Sequence, residues 1–441
     1  MSRVAETATA ETLPGLLLDR ANLTPAGQAL RHHHLGIWEP RSWRVLADET
    51  RDVGNGLFDF GVKAGDVVGL VATNQPMWIA ADLAIQGLGA ITLAIDPGFS
   101  PGTVVTLLQT HAASTVVVGN QEQYDKVMDS VHLLPLLQRV VVIETRGIAE
   151  FNPASGEMVT ARTINDKSVI TLAELQQRGG RVNDAWTPSA TSLDTTTPCT
   201  VEAHLDRSQS VATLRAHSAT SHELIAAADE LATRLGAHAG DELYPIASFA
   251  DPVERLLSLA MMLRVGAVLN IGEGGLLQSL EVRSVQPTIA HLPASLLKGI
   301  REDVQRRQAK RGLRHVAVGR LLDGEGTKSV SALTDRRVTF GMLSALAVGS
   351  IVVHRLLVDQ HGLIRLAIIA AMSLVVGAVL VFGGFAVRPF VRRAYGLGAA
   401  HSLLTSPDID ADTQRFLGAL KLTPILEQRV PQPNSSARPT S

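Results

Sequence analysis

A single cysteine, Cys199, stands in a chain of 441 residues. No internal disulfide can form, the sequence suits a reducing compartment, and Cys199 reads as a bystander. Charge of one sign is missing too. The 40 basic and 42 acidic residues leave a net charge of −2, so there is no electrostatic footprint for a phosphate backbone and nucleic acid is not an expected partner. The N-terminus, Met1 to Leu18, has no basic flank ahead of an apolar core, and a signal peptide is not expected.

The chain does hold two long apolar runs, Val338 to Val353 and Leu366 to Val387. The second has no charge over a length that matches the ~20 residues needed to cross a bilayer core of about 30 Å. About twelve strongly apolar residues at roughly −0.4 kcal/mol each favour insertion by about 5 kcal/mol. The first run stops at His354 and Arg355, because an Arg at a helix centre costs about 2.5 to 3.5 kcal/mol. Arg336 and Arg337 precede the pair, and Arg388, Arg392 and Arg393 follow it, whereas Asp359 partly offsets Arg355 and Arg365 in the loop. The positive-inside rule then predicts a two-span hairpin in the inner, cytoplasmic membrane with both termini cytoplasmic. Two buried helices are the alternative, although only Ser373 breaks the apolar surface of the second run.

From Trp43 to Ile143, helical periodicity alternates with β-branched runs at 66–71, 90–95, 114–118 and 139–143. That order predicts a parallel, doubly wound α/β sheet. Pro76 opens a helix. The polar stretch 151–199 reads as a long excursion with one helix at 172–178. A second α/β unit follows, with helices at 221–235 and 253–265 and strands at 242–247, 267–271 and 288–291. Ser221 is its expected N-cap and Gly236 its expected C-terminal stop. The basic run 298–314 reads as a solvated helix, and the Pro- and Ser-rich end, 431–441, as disordered. His32, His33 and His34 offer a metal site or a surface trio. Adjacent histidines do not share a face of a regular element, so the surface trio is expected.

Several segments occur together in order: Gly36-Ile-Trp-Glu39, Ser42-Trp43, Gly61-Val-Lys-Ala-Gly-Asp66, Asn74-Gln-Pro-Met-Trp78 and Ala81-Asp-Leu-Ala-Ile-Gln-Gly-Leu-Gly-Ala90. Farther along come Gln121-Glu-Gln-Tyr-Asp-Lys126, Ala237-His-Ala-Gly-Asp241, Val253-Glu-Arg255, Arg264-Val-Gly-Ala267 and the run Arg415 to Glu427. Together they resemble the long-chain fatty acid–CoA ligases of the AMP-forming adenylating superfamily. The resemblance implies a layered, doubly wound α/β N-terminal adenylating domain, here incomplete, with the transmembrane hairpin inserted. The implied organisation is an extension at 1–30, ligase-like α/β subdomains at 31–186 and 187–335, the hairpin at 336–388, a resumed ligase-like segment at 389–427 and a disordered tail at 428–441.

The same resemblance locates the chemistry. The family's phosphate loop reads Thr-Ser-Gly-Thr-Thr-Gly-x-Pro-Lys-Gly, whose glycines let backbone N–H groups approach the ATP phosphates. Counting back from Thr220-Ser-His-Glu-Leu224, its equivalent is Arg207-Ser-Gln-Ser-Val-Ala-Thr-Leu-Arg-Ala216. Gln209, Ala212 and Ala216 replace the glycines and Leu214 the proline, leaving Ser208, Ser210 and Arg215 as degenerate cofactor-binding residues. A side chain at those positions restricts positive φ and blocks close backbone approach, and a guanidinium does not substitute directly for the lysine ammonium. Asp251 stands where the family places a histidine or aromatic before its Phe-Glu-Arg helix, and is expected to cap that helix. Thr405-Ser-Pro-Asp408 replaces the Gly-Gly-Ala-Pro adenine contact. After Glu427 the family continues with its magnesium-binding glutamate, ribose aspartate, hinge and catalytic lysine; this chain has Gln428 to Pro433 instead and reads as truncated.

The resulting expectation is a membrane-anchored, non-catalytic relative acting as a binding or scaffold protein in lipid metabolism. It has no catalytic residue and no metal ligand, and no cofactor unless residual activity retains ATP and magnesium. Its expected partners are the membrane, a fatty acyl chain and another acyl-CoA ligase chain. An active ligase completed by that other chain, and a decayed gene product, are the alternatives.

Overall fold

The computed structural model describes residues 10–146, 149–152, 157–160, 163–164, 167–206, 213–309, 391–405 and 408–426. It divides into two compact units, residues 1–281 with 428–441 and residues 282–427.

In the first unit the strands are β1 (Gln28–His34), β2 (Ile37–Ser42), β3 (Val67–Val71), β4 (Ile91–Ile95), β5 (Thr115–Val118), β6 (Arg139–Val142), β7 (Ala149–Asn152), β8 (Glu157–Thr160), β9 (Thr163–Ile164), β10 (Lys167–Thr171), β11 (Pro198–Asp206), β12 (Thr213–Thr220), β13 (Glu242–Leu243) and β14 (Val268–Ile271). Its main helices are α1 (Leu13–Leu23), α2 (Trp43–Asp59), α3 (Pro76–Gly87), α4 (Pro101–Thr110), α5 (Gln121–Met128), α6 (Leu172–Gly179), α7 (Trp186–Thr191), α8 (Ser221–Leu235) and α9 (Pro252–Arg255). An eight-stranded sheet runs β12-β11-β4-β3-β5-β6-β10-β9. Its centre is parallel, and both ends are antiparallel pairs, β11 with β12 and β9 with β10. A second mixed sheet places β13, β14 and β1 in parallel and pairs β1 antiparallel with β2. The central Val and Ile runs are buried along their length, as a parallel sheet covered by helices requires.

The four β-branched runs between 66 and 143 all form strands, within two residues of the expected bounds. Pro76 occupies the first turn of α3, where its missing N–H has no helical partner to lose. Helix α8 runs over the expected 221–235, yet its cap is Thr220 rather than Ser221. The Thr220 hydroxyl accepts from Glu223 N, and the Glu223 carboxylate accepts from Thr220 N, a reciprocal capping box. Gly236 ends the helix in the left-handed region at φ 63°. The stretch 151–199 holds more order than expected. β10 extends the main sheet beside β6, β7 and β8 form a hairpin, and α7 follows α6. The expected helix 253–265 begins as α9 and continues through two π-helical stretches, 256–260 and 262–266.

Helix packing depends on missing side chains. Trp186 is fully buried, and a Cβ at Gly54 or Gly87 would come within 2.1 Å of its ring. Its indole N–H donates to Ala84 O at 3.0 Å, and its backbone N–H to Asn55 Oδ1 at 2.9 Å, which pins α7 onto α2 and α3.

The second unit pairs β15 (Ile289–His291), β16 (Ser402–Thr405) and β17 (Pro424–Leu426) in parallel, in that order. Helix α10 (Ala294–Ala309) accounts for the described part of the basic run, and α11 (Ala411–Ala419) is capped by Asp410. Arg301 Nη1 meets Asp410 Oδ1 at 2.8 Å and ties the two helices together.

The membrane location is corrected. No helix among the described residues is long and apolar enough to cross a membrane. The most apolar, α3, has 12 residues and spans about 18 Å, well short of a hydrocarbon core of about 30 Å. The two runs expected as a hairpin, 338–353 and 366–387, and the tail 428–441 lie outside the described residues.

Candidate functional site

The segment expected to carry phosphate chemistry is the β11–β12 hairpin. Its ladder starts with Pro198 opposite Thr220 and, after a register shift, runs from Thr200 opposite Ala219 to Asp206 opposite Thr213. Ser208 and Ser210 lie in 207–212, outside the described residues. Arg215 is described. It is exposed on β12, in register with His204, so the structure places one of the three expected residues. Ala216, one of the glycine replacements, sits within the ladder opposite Ala203.

Alternation along the hairpin separates two faces. Val201, Ala203 and Leu214 pack into the apolar core beneath the sheet. The other face carries Thr200, Glu202 and His217. Glu202 is 1% exposed, and its Oε2 stands 3.2 Å from His217 Nε2 in the residue directly opposite. The Glu202 carboxylate, as acceptor for the His217 ring N–H, raises the His217 pKa above the ordinary histidine value; burial opposes the shift, and the charges of Glu202 and Glu223 add to it.

Thr200 leads to a buried polar knot. Asp251 caps α9 through Val253 N and Glu254 N, both at 3.0 Å, as expected of it. The cap starts a helix that delivers Arg255 to the interior, 1% exposed. Its guanidinium donates to Thr200 Oγ1 and Asp82 Oδ1 and lies 5.5 Å from the Trp78 ring centre. Gln86 also donates to Asp82 Oδ1, and Thr200 to Thr92 O. Asp82 Oδ2, Glu202 Oε1 and Arg255 Nε make no hydrogen bond among the described residues. The arrangement bolts α3, β11 and α9 together. It offers no nucleophile with a base beside it, so its role is support.

Two further clips hold the segment between β13 and α9. Asn74 donates to Ala247 O and accepts from Phe249 N, at 2.7 and 2.8 Å, and Glu254 accepts from Ala247 N. Glu281 accepts from Tyr244 Oη, Glu273 N and Gly274 N and pairs with His33. Burial works against its charge, but these bonds outweigh burial and hold its carboxyl below the ordinary range. Cys199 is buried, and burial pushes its thiol up to about 12; it is inert, as a bystander should be.

The histidine trio divides. His33 faces Glu281 at 2.7 Å and the Trp38 ring, whereas His32 and His34 stack with ring centres 5.8 Å apart. A cavity of about 580 Å³ opens among α1, α2 and α7, lined by Asp19, Arg44, Asp48, Arg51, Thr187 and Thr191. No residue of β11 or β12 lines it.

The knot and the Glu202–His217 pair were not anticipated. The available signal was Asp82 on an otherwise apolar helix face, a charge that must find a buried partner.

Residues 18–199 match the AMP-binding enzyme family, a stretch shorter than half of the chain. The long-chain-fatty-acid–CoA ligase FadD15 of Mycobacterium bovis is 28% identical over 112 residues, which are 25% of this chain and 19% of that protein. The A domain of the carboxylic acid reductase from Segniliparus rugosus, solved with AMP and a co-purified carboxylic acid, is similar at a TM-score of 0.63 and 13% identity, over 96% of this chain and 60% of that one. The long-chain-fatty-acid–CoA ligase FadD1 from Archaeoglobus fulgidus gives a TM-score of 0.53 at 15% identity, over 67% of this chain and 53% of that one. The chain covers less than two thirds of each of these proteins. The fold is the α/β adenylating-superfamily fold with mixed sheets, and part of the chain is similar to AMP-binding enzymes and to acyl-CoA ligases.

Proposed function

We propose that this chain is a non-catalytic relative of AMP-forming fatty acid–CoA ligases, acting as an acyl-chain-binding or scaffold protein in lipid metabolism. The observation that carries this reading is the absence of glycine from 207–216, a stretch whose last four residues are already paired in the β11–β12 ladder. A phosphate cradle needs backbone N–H groups exposed to close approach. Here a side chain stands at every position, and Ala216 is held in the ladder. Arg215 supplies charge without the cradle. These residues do not fit ATP phosphates.

The relationship to acyl-CoA ligases supports an acyl chain as the retained ligand, because fatty acid recognition rests on apolar lining and needs no phosphate loop. The test is ATP binding by calorimetry alongside fatty-acid-dependent pyrophosphate exchange on the purified full chain, with fatty acid binding measured in parallel. Acyl binding without exchange is the expected result. Exchange that saturates with ATP and fatty acid refutes the non-catalytic reading, and failure to bind fatty acid refutes the ligand.

A further inference from the structure

The β1–β2 hairpin carries a second chemistry. It closes on Leu35 and Gly36, at φ 49° and 80°, a turn that places His34 opposite Ile37 and His32 opposite Glu39. Residues two apart on a strand share a face and stand about 6.6 Å apart, and directly opposed cross-strand residues share it too, with Cβ atoms about 5 Å apart. His32, His34 and Glu39 therefore occupy one face of the hairpin, and His33 the other.

The two faces differ in their commitments. His33 is engaged by Glu281 and Trp38. His32 and His34 touch each other, and neither they nor Glu39 makes a hydrogen bond or ion pair among the described residues. His34 and Glu39 are exposed and His32 is half-buried. Arg41 is paired with Glu49 at 3.3 Å, and Arg41, Glu39 and Glu273 all lie close enough to act on His32.

We propose that His32, His34 and Glu39 form a surface site for one zinc-class divalent cation, with two imidazoles and a carboxylate as ligands and an open position for water. Zinc takes imidazole nitrogen at about 2.0 to 2.1 Å and a carboxylate as third ligand, and sites with three protein ligands keep the fourth position open. The imidazoles stack at 5.8 Å and 18° between planes; binding a cation therefore requires both rings and the Glu39 carboxylate to turn their ligand atoms toward a common point. Imidazole with carboxylate favours zinc, nickel or copper over magnesium or calcium, which prefer all-oxygen shells. The site is independent of the acyl-binding reading, and each can fail alone.

The test is a zinc chloride titration of the untagged full chain by calorimetry, with cobalt absorption as a second readout and thermal melting to confirm folding. The expected result is one equivalent bound, intense visible bands on cobalt loading, and a rise in Tm with zinc. His32→Gln and His34→Gln should each weaken binding by about tenfold or more, the scale set by losing even an indirect ligand contact. Glu39→Gln should weaken it less, and His33→Gln should leave it unchanged. The proposal is overturned if no saturable binding occurs, if the double variant H32Q/H34Q binds zinc as the wild type does, or if H33Q alone abolishes binding.

Discussion

Asp82 and Arg255 give the sharpest test of how this fold is held. Both are buried and form an ion pair away from solvent. At 4 Å and an effective dielectric near 20, opposite charges attract by about 4 kcal/mol, and the hydrogen bonds to Thr200 and Gln86 add contacts on each side. Removing one partner forfeits this and strands the other charge, so Asp82→Ala and Arg255→Met should each cost about 3 to 5 kcal/mol. The double variant Asp82→Leu with Arg255→Met removes both charges and fills the space with apolar volume, so it should cost less than either single change. All four tryptophans lie in the first unit, so fluorescence-detected urea unfolding reads that unit's transition. A cost below about 1 kcal/mol for the single variants, or a double variant equal to the sum of the two, refutes the knot as a coupled support.

Other tests address different parts of the molecule. His217 has a raised folded-state pKa, so its pairing with Glu202 stabilises fully below the unfolded histidine value of about 6.5 and is lost as pH rises through the higher folded value. His217→Gln should remove that segment of the Tm against pH curve, and an unchanged curve would sink the assignment. Gly179→Ala should destabilise α6 against α2 by about 2 kcal/mol or more, because its Cβ would meet Asp52 O at 1.8 Å, a backbone atom that cannot swing aside. A melting temperature equal to wild type contradicts that contact.

The sheet was legible where hydrophobic patterning alone fixes it. The runs at β3, β4, β5 and β6 are β-branched and bounded by turn residues, and such strands announce themselves. β10 was not legible, because Lys-Ser-Val-Ile-Thr is too short and mixed to stand out in a polar stretch; its partner β6 supplies the order. β1 was hidden for a related reason. Three histidines in a row carry no apolar alternation, and the strand exists through its pairing with β14 and β2. Reading those histidines as neighbours also concealed that the first and third share a face once the backbone is extended. The N-cap at Thr220 was missed by one residue, within the ordinary uncertainty of a helix end, although Glu223 three positions on was the signature. Arg255 could be anticipated only as a residue of interest. Its partners Asp82 and Thr200 are 173 and 55 positions away, and no local pattern reports such contacts.

Fold and chemistry draw on different residues of the same hairpin. The register of β11 on β12 is set by Val201, Ala203 and Leu214 facing the core, and on the other face by Glu202 opposite His217. None of these determinants requires a glycine at 209, 212 or 216. A phosphate cradle does, because its function is a backbone conformation and an approach distance rather than a packed volume. The alternation can therefore keep the strands in register with or without a cradle, and a resemblance in fold carries no guarantee of the reaction. The match to the AMP-binding family ends at residue 199, ahead of Arg207, the first position aligned with the phosphate loop. The packing determinants and the chemical ones thus part company within one turn of chain, and it is the chemical ones that the pyrophosphate exchange measurement interrogates.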